Sequence, residues 1–310
     1  MSILVCGSIA YDTIMVFRDQ FKNHILPDQI HILNVAFLVP DLRREYGGCA
    51  GNIAYSLRLL GEDPFIMATV GHDADPYELR LDRLGLSRKH VKRVPEHFTA
   101  QAFITTDVDD NQITAFHPGA MSDSHANRIA ETSGITLAIV SPDGRQGMLE
   151  HAGDLAAAGI PYVLDPGQGL PMFSGDDLRG MLAGAKCLTV NDYEARLVEQ
   201  KMGQPLSRVA ESVEAVIVTR GAEGADVLSG GQQIRVPAVK PESLVDPTGC
   251  GDAFRAGLLH GLERGFGWVK AVRLGSLMGS IKIAHRGGQN HKPSRGEIER
   301  RYLEAFGEAL

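Results

Sequence analysis

Short apolar runs alternate with stretches of helical period along most of the chain. "ILVC" (3–6), "FIMATV" (65–70), "TLAIVS" (136–141), "PYVLD" (161–165), "CLTV" (187–190) and "AVIVT" (215–219) are too short for helices, are often β-branched, and stop at Gly, Asp, Asn or Pro. They read as buried strands. Between them lie amphipathic stretches such as "GNIAYSLRLLG", where Ile53, Ala54, Leu57 and Leu60 recur at helical spacing and Gly61 supplies the stop. This alternation predicts an α/β fold, a mostly parallel central sheet flanked by helices on both faces.

Two stretches break the rhythm. Residues 13–46 contain "HILPDQIHILNVAFLVP", which has no helix period, and residues 98–117, "FTAQAFITTDVDDNQITAFH", read as two strands around the polar turn "DVDDN". A parallel sheet is covered by helices, so a hairpin here predicts a separate small β element. The two stretches are expected to pair into a lid, with 1–12, 47–97 and 118–310 forming the large domain. The last part is helical, and Gly275, Ser276, Gly279 and Ser280 predict close helix packing.

Composition narrows the function. With 31 Lys+Arg against 38 Asp+Glu the net charge is -7, and no basic block stands out, which argues against nucleic acid as the main partner. The apolar N-terminus lacks a positive leading region and carries Asp12, so it reads as a buried strand and not as a signal peptide. No apolar run approaches membrane-spanning length. Cys6, Cys49, Cys187 and Cys250 are far apart and form no CxxC pair. They read as small buried hydrophobes in a reducing compartment, so a cytoplasmic location is expected, as a monomer or homodimer.

The candidate chemistry sits in "VDPTGCGDAFRAGLL" (245–259). The first backbone N–H groups of a helix have no partner within it, carry partial positive charge and can grip an anion. Side chains there would obstruct a bulky phosphate, and "TGCG" (248–251) supplies bare backbone with Asp252 just inside the turn. A simple cap by Thr248 or Asp252, worth about 1 kcal/mol, would leave the pairing of Gly249 and Gly251 unexplained. The turn is neither a Walker A loop, since no GxxxxGK[ST] occurs, nor a dinucleotide fingerprint, whose third glycine would fall on Phe254. A carboxylate beside an anion hole suits phosphoryl transfer: it accepts a proton from a hydroxyl while the amides hold the phosphoryl group. A helix N-terminus favours ionised Asp, so a weak base is expected.

"DPTGCGDAF" resembles the DTxGxGD signature of the ribokinase-like (PfkB-type) carbohydrate and nucleoside kinases, with Pro247 in place of the usual Thr. The resemblance implies that Asp252 is the catalytic base and that Gly249, Cys250 and Gly251 form the anion hole. Other segments follow in family order. "EYGGCAGN" (45–52) is similar to the first signature: Gly47 and Gly48 let a sugar approach the backbone, and the Asn52 amide can both donate and accept, although an ordinary helix start reads the same way. In "CGSIAYD" (6–12), Asp12 stands at the outer edge of the first strand, where relatives grip a vicinal diol. "VNDYEA" (190–195) resembles NxxE: Asn191 lies near the nucleotide, and Glu194 would order Mg²⁺ through water, with a capping-box helix start as the rival reading. "VTRGAEGA" (218–225) resembles the TxGxxG nucleotide loop through Thr219, Gly221 and Gly224. Arg220 reads equally well as a phosphate contact or a solvated side chain, and Arg255 as a phosphate contact or a partner of a neighbouring carboxylate. The resemblance also implies ATP as donor, Thr248 near it, and a place for a monovalent cation such as K⁺ near Asp246 and the 284–288 loop.

Three stretches, "LRREYGGCAGN", "ITAFHPGAM" (113–121) and "DPGQGLPMF" (165–173), look like bacterial nucleoside kinases related to adenosine kinase. Phe116, Met121 and Phe173 would supply apolar faces to a base, and Gln101 and Gln168 would bond its edge. Each alone also reads as core or solvated surface, and His117 as structural. The expected activity is ATP-dependent phosphorylation of a purine ribonucleoside. The alternatives are a ribokinase-type sugar kinase and a non-catalytic sensor that kept the fold.

Overall fold

All six apolar runs are strands in the computed structural model, which describes residues 2–25, 34–109 and 111–310. In chain order the strands are β1 (Ser2–Cys6), β2 (Ala10–Val16), β3 (Asp41–Gly47), β4 (Phe65–Val70), β5 (Ser87–Arg93), β6 (Ala100–Thr106), β7 (Gln112–His117), β8 (Ile135–Val140), β9 (Tyr162–Leu164), β10 (Cys187–Asn191), β11 (Ala215–Thr219), β12 (Ala225–Ser229) and β13 (Gln232–Val236). The helices are α1 (Cys49–Leu59), α2 (Asp75–Leu84), α3 (Arg145–Ala157), α4 (Gly175–Leu182), α5 (Asp192–Met202), α6 (Leu206–Val209), α7 (Cys250–Glu263), α8 (Trp268–Ile283) and α9 (Arg295–Phe306). Among the described residues no helix is long and apolar enough to cross a membrane.

Nine strands form one sheet in the order β13-β12-β11-β10-β9-β8-β1-β4-β5, parallel from β5 to β11, with β12 and β13 running antiparallel at one edge. Strand period two splits the core between its faces. Ile3 and Val5 pack with Ile53 and Leu57 of α1 and with Leu258 of α7. Leu4 and Cys6 pack with Leu155 of α3 and Leu178 of α4. Both faces are therefore dry, which explains why these strands read as unbroken apolar runs. Helices α7 and α8 meet through glycine, as the small residues predicted: a side chain at Gly257 would lie 2.7 Å from the Gly275 backbone.

The chain winds one way from β1 through β4 to β5, then the other way from β8. The reversal opens a crevice beyond the carboxyl ends of β1 and β8, where open α/β sheets place ligands. A second sheet, in the order β3-β2-β6-β7, stands over this end. β6 and β7 pair as an antiparallel hairpin around the expected polar stretch, of which residue 110 lies outside the described residues. The small sheet reaches further than the expected limits of 13–46 and 98–117, because β2 begins at Ala10 and β3 runs to Gly47. Asp12 therefore lies inside a strand of the small sheet and not at the edge of β1. The sequence signal misleads here because only Gly7, Ser8 and Ile9 separate the two strands. The middle of the first rhythm-breaking stretch, 26–33, lies outside the described residues.

Candidate active site

The glycine–aspartate turn opens α7 as expected. Gly249 is the N-cap at φ 76°, a left-handed conformation that favours glycine, and a side chain there would press within 3.0 Å of the Gly288 backbone. Asp252 follows in the first helical turn. The loop is stitched to the segment after α8: Val245 and Asp246 N–H donate to the Ile283 carbonyl at 2.9 and 3.1 Å. The Asp246 carboxylate accepts from Thr248 N–H and Gly287 N–H, both at 2.8 Å.

Helix α1 brings the first signature against this turn. Gly48 is its N-cap at φ 85°, so close to the β1–β2 crossing that a side chain would sit 2.5 Å from Ser8 O and Ala10 N. That proximity puts buried Asn52 beside α7, where its Nδ2 donates to Asp252 Oδ2 at 2.8 Å. Its Oδ1 accepts from Gln289 at 3.1 Å, and Gln289 also donates to the Tyr77 hydroxyl at 2.7 Å, which donates in turn to Gly47 O. Asn52, expected to hold a ribose, has its amide engaged by Asp252 and Gln289. Gly47 has a different task. A side chain there would lie 2.4 Å from Asp12 Oδ2, so the missing Cβ is what lets the Asp12 carboxylate in.

Burial dominates the electrostatics. It pushes the Asp12 carboxyl up to about 6, with the charges of Asp252, Asp246 and Glu45 adding to the shift. It also raises Asp252 above the ordinary carboxylate value, against the Asn52 hydrogen bond that favours the charged form. Burial thus works against the weak base expected from the helix N-terminus.

Arg255 resolves in favour of a carboxylate partner. Its Nε and Nη2 bind the two oxygens of Asp165 at 2.7 and 3.0 Å, and both side chains are buried. This pair, whose acid sequence reasoning did not name, pins the first turns of α7 to the end of β9. Arg220 likewise pairs with buried Asp226, at 2.7 Å, and Arg235 joins them.

On the other side of the α7 start lies a cavity of about 570 Å³. Asn191, Thr219, Gly221 and Gly224 line it together with Cys250, Gly251 and Arg255. Phe254, Val239 and Ile283 give it an apolar wall. One helix terminus thus lines the cavity through Cys250 and Gly251 and carries Asp252, close enough to Asp12 for the two charges to interact. Asn191 and Glu194 form a full capping box, Glu194 N–H to Asn191 Oδ1 at 2.8 Å and Asn191 N–H to the Glu194 carboxylate at 2.7 Å. The rival reading of "VNDYEA" is therefore realised, yet the box also fixes the Glu194 carboxylate close enough to Asp165 and Arg255 to feel both charges; burial raises its pKa.

The acceptor residues divide. Phe116 lies opposite Ala102 in the ladder, and Ala102 opposite Asp12, so Phe116 shares the Asp12 face and is 47% exposed. Gln101 is one residue out of phase and points from the opposite face, where it donates to Thr13 at 2.6 Å. The structure therefore corrects Gln101 as an acceptor ligand beside Asp12. His117 pairs with Gln101 and shares that far face. Phe173 is core, 1% exposed. Met121 and Gln168 lie in the 3₁₀ segments Gly119–Ala126 and Gly167–Met172, half-buried and exposed respectively. Thr248 is exposed in the turn. Sequence reasoning also missed Gln289, Tyr77 and Lys282, none of which stands in a recognisable motif.

Comparison with known proteins agrees with this geometry. Residues 10–295 match the model of the pfkB family carbohydrate kinases. The nucleoside kinase of Methanocaldococcus jannaschii is 28% identical over 270 residues, covering 86% of this chain and 89% of the relative. The structure of Burkholderia thailandensis nucleoside kinase in complex with inosine superimposes with a TM-score of 0.91 at 54% identity, over 99% of each chain. The same kinase in complex with ADP-inosine gives 0.89 at 55% identity, over 99% of this chain and 97% of that one.

Proposed function

The chain belongs to the pfkB family of carbohydrate kinases and phosphorylates nucleosides with ATP, and we propose that its acceptor is the 5′-hydroxyl of a purine ribonucleoside, with inosine, adenosine and guanosine all accepted. The observation that carries this reading is the α7 terminus, whose first turn holds Asp252 against Asn52 while Cys250 and Gly251 line the cavity.

In this reading Asp252 takes the proton of the attacking hydroxyl, at a place where burial has already made it a better base. The amides of Gly249, Cys250 and Gly251 receive the charge that develops on the phosphoryl oxygens. Asp12, on the small sheet above Gly47 and Gly48, accepts both hydroxyls of the ribose diol. ATP fills the cavity between Thr219–Gly224 and the Phe254 wall. Mg²⁺, when bound, neutralises phosphate charge; Glu194 would hold it through water, since Mg²⁺ keeps most of its own shell and needs few protein ligands. The small sheet acts as a lid that excludes water from the transfer.

The half-exposed Phe116 ring on the Asp12 face favours a nucleoside over a bare sugar, because a base would cover it and a ribose would not. Phosphorylation of ribose, fructose, adenosine, inosine and cytidine, compared in one assay by kcat/KM, tests the reading. Preference for either free sugar over the purine nucleosides would refute it, and nucleoside binding without ATP consumption would point to a sensor.

A further inference from the structure

Lys282, in the last turn of α8, is fully buried, 0% exposed, although lysine is among the residues least often found inside. Its Nζ donates to the carbonyl of Asp246 at 2.7 Å and to that of His285 at 3.1 Å. Those carbonyls belong to the two segments stitched together around the anion-hole turn, the one that leads into Gly249–Gly251 and the one that carries Gly287. Carbonyl oxygens converging on one buried point from separate loops are what a backbone offers to a desolvated cation. Here the cation is already present and covalently attached. Burial pulls the lysine pKa below its usual range, and the nearby Cys250, Asp246 and Asp252 oppose that shift.

We propose that the Lys282 ammonium replaces a dissociable monovalent cation at this point, making the enzyme independent of K⁺. The residues present therefore do not fit the K⁺ expected near Asp246 and the 284–288 loop. A second positive ion could not share the carbonyls of Asp246 and His285 with an ammonium 2.7 Å from the first of them without strong repulsion. Lys282 is a positioning residue. It touches neither nucleoside nor phosphate, and it acts by holding Asp246 O, and through it the turn of bare amides, in register with the 285–287 loop.

The proposal rests on the kinase reading, and its test keeps the two apart. Inosine phosphorylation by the wild-type chain with Mg²⁺ and ATP is followed while K⁺ replaces tetramethylammonium at constant ionic strength. The rate should not change; several-fold activation by K⁺ overturns the proposal. Lys282→Ala should lose roughly tenfold or more in kcat, the scale of a disturbed anion hole, and regain most of it in K⁺ or NH₄⁺. Lys282→Met, whose stem fills the space, should lose as much and regain nothing. A folded Lys282→Ala that is fully active in tetramethylammonium, or that no cation restores, overturns the proposal. Thermal melting gives a readout without catalysis. K⁺ should raise the melting temperature of Lys282→Ala and leave that of the wild type unmoved, because only the vacated site binds the ion. If Lys282→Ala does not fold, the wild-type titration decides alone. Failure of the wild type to phosphorylate any nucleoside would sink the functional reading and leave the melting comparison to judge the lysine.

Discussion

Asn52 and Asp252 stand 200 residues apart in sequence and 2.8 Å apart in space, the amide donating to the carboxylate. That hydrogen bond favours the ionised form of a group that burial pushes the other way. Asp252→Asn should keep nucleoside affinity and lose roughly 10²–10⁴ in kcat, as expected for loss of a general base. Calorimetric binding beside steady-state rates checks this, and a kcat within a few-fold of wild type would remove Asp252 from the base role. Asn52→Leu should lose less, but should move the acid limb of the kcat profile to higher pH, because the stabilised species is the charged one.

Asp12 supplies a second pH dependence, read in KM. Its carboxyl, pushed up to about 6, is charged and accepts two hydroxyls above that pH and is protonated below it. The KM for the nucleoside should therefore rise as pH falls through about 6, with the KM for ATP much less affected. Because the Asp12 and Asp252 charges interact, the limb belongs to the pair. Asp12→Ala should weaken nucleoside binding and flatten that limb; equal loss of ATP affinity would place Asp12 outside the acceptor site.

The same shift has a signature in stability. A carboxyl whose folded pKa lies above its unfolded value is protonated more readily in the folded state, so its ionisation costs stability at neutral pH and nothing below the unfolded value. Asp12→Asn should stabilise the unliganded protein by about 1–3 kcal/mol at pH 7.5. The gain should fade between pH 6 and 4, as thermal melts across that range would reveal. A variant no more stable than wild type at pH 7.5 would contradict the burial argument.

The Asp165–Arg255 pair should behave as a buried ion pair that cannot lose one member. Arg255→Met leaves an uncompensated carboxylate in the core, which costs about 3–5 kcal/mol, equivalent to a drop on the order of 10 °C in melting temperature for a chain of this size. The double variant with Asp165→Leu should recover much of the melting temperature. It should not recover turnover, because the start of α7 would no longer be pinned to β9.

Glu194 offers a test of the metal. Glu194→Gln keeps the shape and removes the charge, so the Mg²⁺ concentration for half-maximal rate should rise at fixed saturating ATP while nucleoside KM stays put. Its capping box should survive in part, since the amide oxygen still accepts from Asn191 N–H. An unchanged Mg²⁺ dependence would leave Glu194 a helix cap alone.

Much of this was legible in the chain because it is local. Six of the parallel strands announce themselves as apolar runs, whereas the polar edge strand β5 (SRKHVKR) does not, and the Gly249–Asp252 turn lies within four consecutive residues. What could not be read depends on register and on distant partners. Gln101 and Phe116 have similar local surroundings, and only the pairing of β6 with β2 and β7 decides that one faces away from Asp12 and the other toward it. Asp165 looks like any acid after a strand until Arg255 arrives from 90 residues further on. Lys282 sits in an ordinary helical period, and nothing in that period says that its ammonium ends between two backbone loops.

In the proposed reading the acceptor grip and the transfer chemistry stand on different sheets: Asp12 and Phe116 ride on the four-stranded one, while the amide turn and Asp252 are anchored to the nine-stranded one through Arg255 and Asp165. Mutations that reshape the first can accumulate without disturbing the second. A lineage built this way is free to drift from one hydroxyl compound to another while its phosphate-handling parts stand still. Laboratory evolution of a new specificity should accordingly find its hits in β2, β6 and β7.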